Sequence, residues 1–216
     1  VDNATIDQLR SGLDTLKLTL PDGGVDQLVA WADELQRWNE KVNLTAITRP
    51  AEVVDKHLLD SLAVVPEVKG ATRLLDLGAG AGLPGIPLAV ALPSLSATLV
   101  DAVSKKVGFM KAAAVKAGVA GRVKAVHLRA NGAPTTEKLD LADLVISRAF
   151  MDVGPFLQLA RNYLAPGGRV VTMLGQVPAD ADLGVHAAAA GLQLVSVRRF
   201  TLPISGDPRG VAVFRA

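Results

Sequence analysis

Leu74-Leu75-Asp76-Leu77-Gly78-Ala79-Gly80-Ala81-Gly82-Leu83-Pro84-Gly85 is the stretch on which the fold of this chain turns. Apolar residues around a single carboxylate read as a buried strand, the alternating glycines as a loop, and Pro84 as the mark of a helix start. Glycine admits positive φ and lets a ligand approach the backbone, and the helix N-terminus beyond offers unpaired N–H groups. The unit reads as a cofactor cradle. A mere tight turn is the other reading, but three alternating glycines are costly unless something must come close.

Outward from this unit, short β-type runs alternate with helical stretches, which predicts a parallel sheet with crossover helices. The runs are Arg73–Leu77, Ala97–Asp101, Val123–Leu128, Leu144–Ser147, Val170–Leu174, Leu192–Arg199 and Val211–Phe214. Too few residues separate the last two for a crossover helix, so they should pair antiparallel. The expected fold is α/β, a doubly wound and mostly parallel seven-stranded sheet with an N-terminal helical extension; a parallel sheet ending in an antiparallel hairpin resembles the class I S-adenosylmethionine-dependent methyltransferase type.

Gly80-x-Gly82-x-x-Gly85 also satisfies the dinucleotide pattern G-x-G-x-x-G. Two features favour S-adenosylmethionine instead: Asp76 two residues before Gly78, and the run Gly78, Gly80, Gly82. A ligand with a sulfonium and an ammonium suits an acid beside the loop, where nicotinamide sites usually carry an apolar residue. Asp101 ends the next strand, 21 residues after Gly80, where a carboxylate accepts from both ribose hydroxyls. Capping the helix that follows is its alternative role.

Half of the 216 residues are hydrophobic and 20% are charged, so the chain has a real core to bury and is neither disordered nor fibrous. It holds no cysteine, which removes disulfides, thiolate zinc sites and cysteine nucleophiles, including the covalent route to pyrimidine C5 methylation. His57, His127 and His186 lie far apart, so no protein-bound metal is expected. The polar start VDNATIDQLR has no signal-peptide pattern and predicts a cytoplasmic protein. Leu77 to Val100 is uncharged and as long as a membrane helix, but its glycines and prolines divide it into loop, helix and strand.

The net charge of +2 hides an asymmetry: residues 1–70 carry a net −5 and residues 71–216 a net +7. Residues 1–70 read as a helical extension or cap, with one helix over 24–42 burying Trp31, Leu35, Trp38 and Val42, and another over 51–65 between Pro50 and Pro66. Residues 71–216 form the cofactor-binding domain. Within it, Asp101 to Arg129 carries a net +6, with Lys105 and Lys106 beside the apolar stripe Val103, Val107, Met110, Ala114 and Ala117. These lysines suit RNA phosphates, or form a solvated helix face. Only eight residues are aromatic and they do not cluster, so a base-stacking platform is unsupported. Arg148 ends the fourth strand, where ligands sit; it could clamp a carboxylate, a phosphate or a guanine edge, or pair with Asp76 or Asp152.

Six ordered blocks resemble the small-subunit rRNA methyltransferase G family, also called glucose-inhibited division protein B. They are Trp38-Asn39 with Asn43-Leu44-Thr45, Lys56-His57-Leu58-Leu59-Asp60-Ser61, Leu75 to Pro87, Val100-Asp101 with Lys105-Lys106, Ile146-Ser147-Arg148-Ala149-Phe150, and Gly175-Gln176. The resemblance implies methyl transfer from S-adenosylmethionine to guanine N7 in the 530 loop of bacterial 16S rRNA, with the small ribosomal subunit as partner; the alternatives are a methyltransferase of another RNA or small molecule, or a cofactor-sensing RNA-binding module without catalysis. The resemblance also implies cofactor contacts from Gly78, Leu83 with the adjoining Pro84, and Ala130-Asn131. Arg148 joins the same pocket, and the block of His57, Asp60 and Ser61 folds over it. His57 then either touches cofactor or RNA or is a hydrogen-bonded packing residue. Two positions depart from the family pattern: Asn131 where an acid is usual, and Leu174 where the fifth strand usually ends in lysine.

Overall fold

The computed structural model describes residues 1–148 and 150–216; Ala149, in the Ile146–Phe150 block, lies outside the described residues. At the centre of the sheet, β1 (Arg73–Leu77) runs parallel to β2 (Ser96–Asp101) on one side and β4 (Ala142–Arg148) on the other. β3 (Val123–His127) and β5 (Leu164–Leu174) extend the two sides in parallel. β7 (Pro208–Arg215) inserts antiparallel between β5 and β6 (Gln193–Thr201), giving the order β3-β2-β1-β4-β5-β7-β6. All seven expected runs are strands, and the last two pair antiparallel as their short connection requires. The order reverses between β1 and β4, and the carboxyl ends of both strands open on the crevice where ligands of such sheets sit.

Side-chain alternation along β1 assigns the two faces. Leu74 belongs to one apolar cluster with Ile86, Phe109 and Met110, whereas Leu75 and Leu77 belong to another with Phe156, Leu157 and Phe214. The first cluster lies under α6 (Gly85–Ala91) and α7 (Ser104–Lys116), the second under α9 (Val153–Arg161) and α10 (Asp180–Ala189). Asp76 falls on the Leu74 face, pointing at the start of α6. The short α8 (Pro134–Glu137) lies between β3 and β4.

The N-terminal residues are helical, with three corrections. A helix not expected from the sequence, α1 (Asn3–Thr15), is capped by Asp2, whose Oδ1 accepts from Thr5 N at 2.9 Å, and buries Leu9 and Leu13. α2 (Gly24–Asn39) stops short of Val42 because the Asn39 side chain turns the chain: Oδ1 accepts from Leu44 N at 2.8 Å and Thr45 N at 3.1 Å, and Nδ2 donates to Thr45 O at 3.0 Å. The stretch after Pro50 is α3 (Pro50–Val53), a π-helical turn (Val54–Leu59) and α4 (Asp60–Leu62). Pro66 does not end it but sits in the first turn of a further helix, α5 (Val65–Val68), where its missing N–H is harmless. Leu9, Trp31, Leu58 and Leu59 share one cluster with Ile86 and Phe109, so these helices complete the core over one face of the sheet.

Leu77 to Val100 is divided among β1, the loop, α6 and β2, and among the described residues no helix is long and apolar enough to cross a membrane. Val103 leaves the predicted α7 stripe: it precedes the helix and is 44% exposed, while Val107, Met110, Ala114 and Ala117 are buried with Phe109.

Candidate active site

The glycine loop is held from three sides. Gly78 and Gly80 have φ of +72° and +59°, a region that side-chain-bearing residues rarely enter. A Cβ on Gly80 would face open space, whereas one on Gly78 would collide with the Phe150 ring. Gly82, with φ of +74°, and Gly85 also serve packing: their added Cβ atoms would run into Ile86 and Leu99. Asp76 is fully buried, and its Oδ2 accepts from Gly85 N at 3.0 Å, bracing the start of α6. Burial raises its pKa well above the usual carboxylate range, and Oδ1 has no partner among the described residues. From α2, Trp31 Nε1 donates to Ala81 O at 3.2 Å, so the N-terminal helices grip the loop directly.

Beside the loop, a cavity of about 270 Å³ is lined by Gly78, Asp101, Val103, Lys106, Ala130 and Phe150, among others. Asp101 does not cap α7, whose N-cap is Val103 and has no side-chain cap bond; it braces the loop and the turn before the helix. Its Oδ1 accepts from Val103 N at 2.8 Å before α7, and its Oδ2 accepts from Gly80 N at 2.9 Å, with Lys106 Nζ at 4.0 Å. Each oxygen keeps acceptor capacity for a hydroxyl at the cavity wall. Asn131 is exposed next to Ala130; its Oδ1 accepts from Ala133 N at 3.2 Å, closing a local turn. The cavity thus joins Gly78, Asp101, Lys106 and Ala130. It is not lined by Asp76, Gly80, Gly82, Leu83, Pro84 or Asn131, and Leu83 is packed in the core at 3% exposure.

Arg148 opens on a different cavity, of about 320 Å³, with Lys56, His57, Asp60, Leu174 and Arg209. Its acid is neither Asp76 nor Asp152: Nη1 donates to Asp60 Oδ2 at 3.1 Å and to Lys56 O at 2.8 Å. β4 alternation turns Arg148 toward the face covered by the N-terminal helices, which bring Asp60 to it, while Asp76 on the same face is fully buried against Gly85 N. Asp60 also meets Arg209 Nε at 3.4 Å. Burial raises the Asp60 pKa despite the opposing charges of Arg148 and Arg209. No motif singled out Arg209; its place in a turn-like Asp-Pro-Arg-Gly run made it look like a hairpin connector. Leu174, where the family pattern carries lysine, supplies an uncharged wall.

His57 is 5% exposed and engaged at both ring nitrogens. Nδ1 lies 3.0 Å from Lys56 O, which only accepts, so Nδ1 carries the proton. Nε2 then accepts from Thr45 Oγ1 at 3.0 Å, and that oxygen accepts from Ile47 N at 3.0 Å. Burial, followed by the Arg148 guanidinium, pushes the imidazole down to about 4. This is the hydrogen-bonded packing arrangement, at the edge of the second cavity.

The reversed β7, the glycine loop at the end of β1 and the carboxylate at the end of β2 define a class I S-adenosylmethionine-dependent methyltransferase. The residues fit that cofactor: an acid for a ribose diol, an apolar slot at Val103, Leu128 and Ala130, and a bare glycine backbone at Gly78. The fold is similar to those of an O-methyltransferase from Bacillus cereus in complex with SAH (TM-score 0.61, 15% identity, 87% of this chain and 91% of that one) and an S-adenosylmethionine-dependent methyltransferase from Thiobacillus denitrificans (TM-score 0.56, 16% identity, 73% and 91%). A family model described as rRNA small subunit methyltransferase G matches residues 25–202. The chain is 54% identical to ribosomal RNA small subunit methyltransferase G of Myxococcus xanthus, over 99% of both chains. It is 48% identical to the protein of that name from Anaeromyxobacter sp., over 96% of both. It belongs to the small-subunit rRNA methyltransferase G family.

Replacing Asp101 by alanine should weaken cofactor affinity by about 1–3 kcal/mol, the scale of hydrogen bonds to a charged group. Calorimetry with S-adenosylhomocysteine reads this directly, and an unchanged dissociation constant would leave Asp101 only as a brace for Gly80 N and Val103 N.

Proposed function

We propose that the enzyme methylates N7 of a guanine in the 530 loop of 16S rRNA within the small ribosomal subunit, in the bacterial cytoplasm. Family membership supports the RNA class, and the observation that carries the choice of atom is the engagement of the groups lining the second cavity. Its carboxylate, Asp60, is already shared by Arg148 and Arg209, and its imidazole, His57, is engaged at both nitrogens. Such a site offers hydrogen-bond donors and no ready general base. Guanine N7 has a lone pair and no proton, so its methylation needs alignment and electrostatic support alone. When bound, S-adenosylmethionine supplies an electrophilic methyl group.

In this reading Asp101, Gly78 and Ala130 hold the cofactor, with Asp76, Gly80, Gly82, Leu83, Pro84 and Asn131 shaping the loops that carry them. Arg148 supports the reacting base, His57 positions the wall behind it, and residues 1–70 act as a helical cap on the domain 71–216. Lys105, exposed, and Lys106, at the first cavity, face RNA phosphates. Neutralising both should weaken RNA binding uniformly and reduce the slope of log affinity against log salt by about 1–2, at roughly 0.7–0.9 per phosphate contact. An unaltered slope would make the helix face merely solvated.

The reaction is tested by labelled-methyl transfer to unmodified small subunits, followed by borohydride and aniline cleavage at 7-methylguanosine. Cleavage within the 530 loop is expected; labelled subunits without it would overturn the assignment.

A further inference from the structure

We infer that the second cavity seats the target guanine nucleotide, with Arg148 reading the base and Arg209 and Lys56 gripping its phosphate. This rests on the reaction proposed above. The two cavities share no lining residue, and both lie at the carboxyl ends of the parallel strands. The second is built for a flat, polar-edged, anionic ligand. Met173 and Leu174 make an apolar wall, while cations come from three distant segments: Lys56 from the π-helical turn, Arg148 from β4 and Arg209 from β7.

The two guanidinia converge on one carboxylate, at 3.1 Å and 3.4 Å, so the trio keeps a positive charge. Arg148 and Arg209 are 20% and 19% exposed and Asp60 only 8%, which puts the acid behind and the donors in front. Arg148 spends Nη1 on Asp60 and Lys56 O, while Nη2 faces His57 Nδ1 at 3.5 Å, itself a donor. Nη2 therefore has a proton to offer and no acceptor among the described residues. Guanine presents O6 beside N7, and adenine presents a donor at that place. An arginine usually forks across both guanine atoms, but N7 must stay free to take the methyl group, so Arg148 donates to O6 alone.

The phosphate end is marked by Asp207. Half-exposed, its carboxylate lies 3.3 Å from Lys56 Nζ and 3.8 Å from Arg209 Nη2, holding the place a phosphate takes by displacing it; Lys56 Nζ also lies 3.8 Å from Glu52 Oε1. Leu174 pairs with Gly210 across the β5–β7 ladder, which sets Arg209 next to the uncharged end of β5.

Calorimetry on the enzyme saturated with S-adenosylhomocysteine tests this, with guanosine and adenosine 5′-monophosphates as probes. The guanine nucleotide should bind saturably and the adenine nucleotide at least about tenfold more weakly, by the cost of one mispaired edge. Arg209→Ala should weaken the guanine nucleotide about tenfold or more without moving S-adenosylhomocysteine affinity, which reports an intact fold, and Arg209→Lys should recover part of the loss. Equal binding by Arg209→Ala, equal binding of both nucleotides, or no saturable binding at millimolar concentration each overturns it. Guanine-nucleotide binding that follows this pattern while subunits are methylated elsewhere would support the cavity and refute the proposed reaction, so the two fail separately.

Discussion

Arg148→Ala should slow methyl transfer to small subunits by about 10²- to 10³-fold, the scale on which one preorganised donor acts on developing charge. S-adenosylhomocysteine affinity should barely change, because Arg148 lines the second cavity and not the first. A stability cost accompanies the change. The variant removes the bonds from Nη1 to Asp60 and to Lys56 O, leaving Asp60 with Arg209 at 3.4 Å. Losing a buried charged hydrogen bond costs about 1–3 kcal/mol, short of the larger penalty for a stranded charge because one guanidinium remains. Arg148→Lys separates the two effects: it keeps the charge and loses the fork, so it should regain more stability than rate. Single-turnover kinetics beside denaturant unfolding measures both. A collapse of cofactor affinity with transfer intact at saturation would instead move Arg148 to the cofactor pocket.

Residues 71–216 were the more legible part. Each strand is a short apolar or alternating run closed by a charge or a turn, and the glycine loop has a local reason to exist, so near-neighbour patterns suffice. The N-terminal residues answer to distant partners. Asn39 ends α2 through bonds to Leu44 and Thr45, and α1 is held chiefly by burying Leu9 and Leu13 against a core assembled from the whole chain. Helical periodicity is blind to both. At the site, the place of Asp101 beside the glycine loop was legible because position at a strand end determines its surroundings. Asp76 was legible as a special residue but not in its duty: a carboxylate beside a glycine loop suggests a ligand contact, and only the fold shows it buried against Gly85 N. Arg209 was illegible for the opposite reason, since its partner Asp60 lies far away in sequence and only the insertion of β7 beside β5 brings them together.

His57 should make the protein less stable in mild acid, with a sign that sets it apart from its neighbours. Folding lowers its pKa from about 6.5 to about 4, because burial and Arg148 oppose a second positive charge. The unfolded chain therefore binds this proton first as pH falls. Its contribution is fully present above pH 6.5, declines below that, and is lost as pH passes through about 4. At about 1.4 kcal/mol per unit, the two-and-a-half units between the two states amount to roughly 3 kcal/mol. Asp60 and Asp76, whose pKa values burial raises, act in reverse: their contributions are present at low pH and lost as pH rises through the folded values. The test is consequently a difference. Unfolding of the native chain and of His57→Gln, each followed from pH 7 to pH 4, should show the native chain losing about 3 kcal/mol more. Parallel curves would mean that the imidazole protonates without resistance in the folded chain, burial and Arg148 notwithstanding.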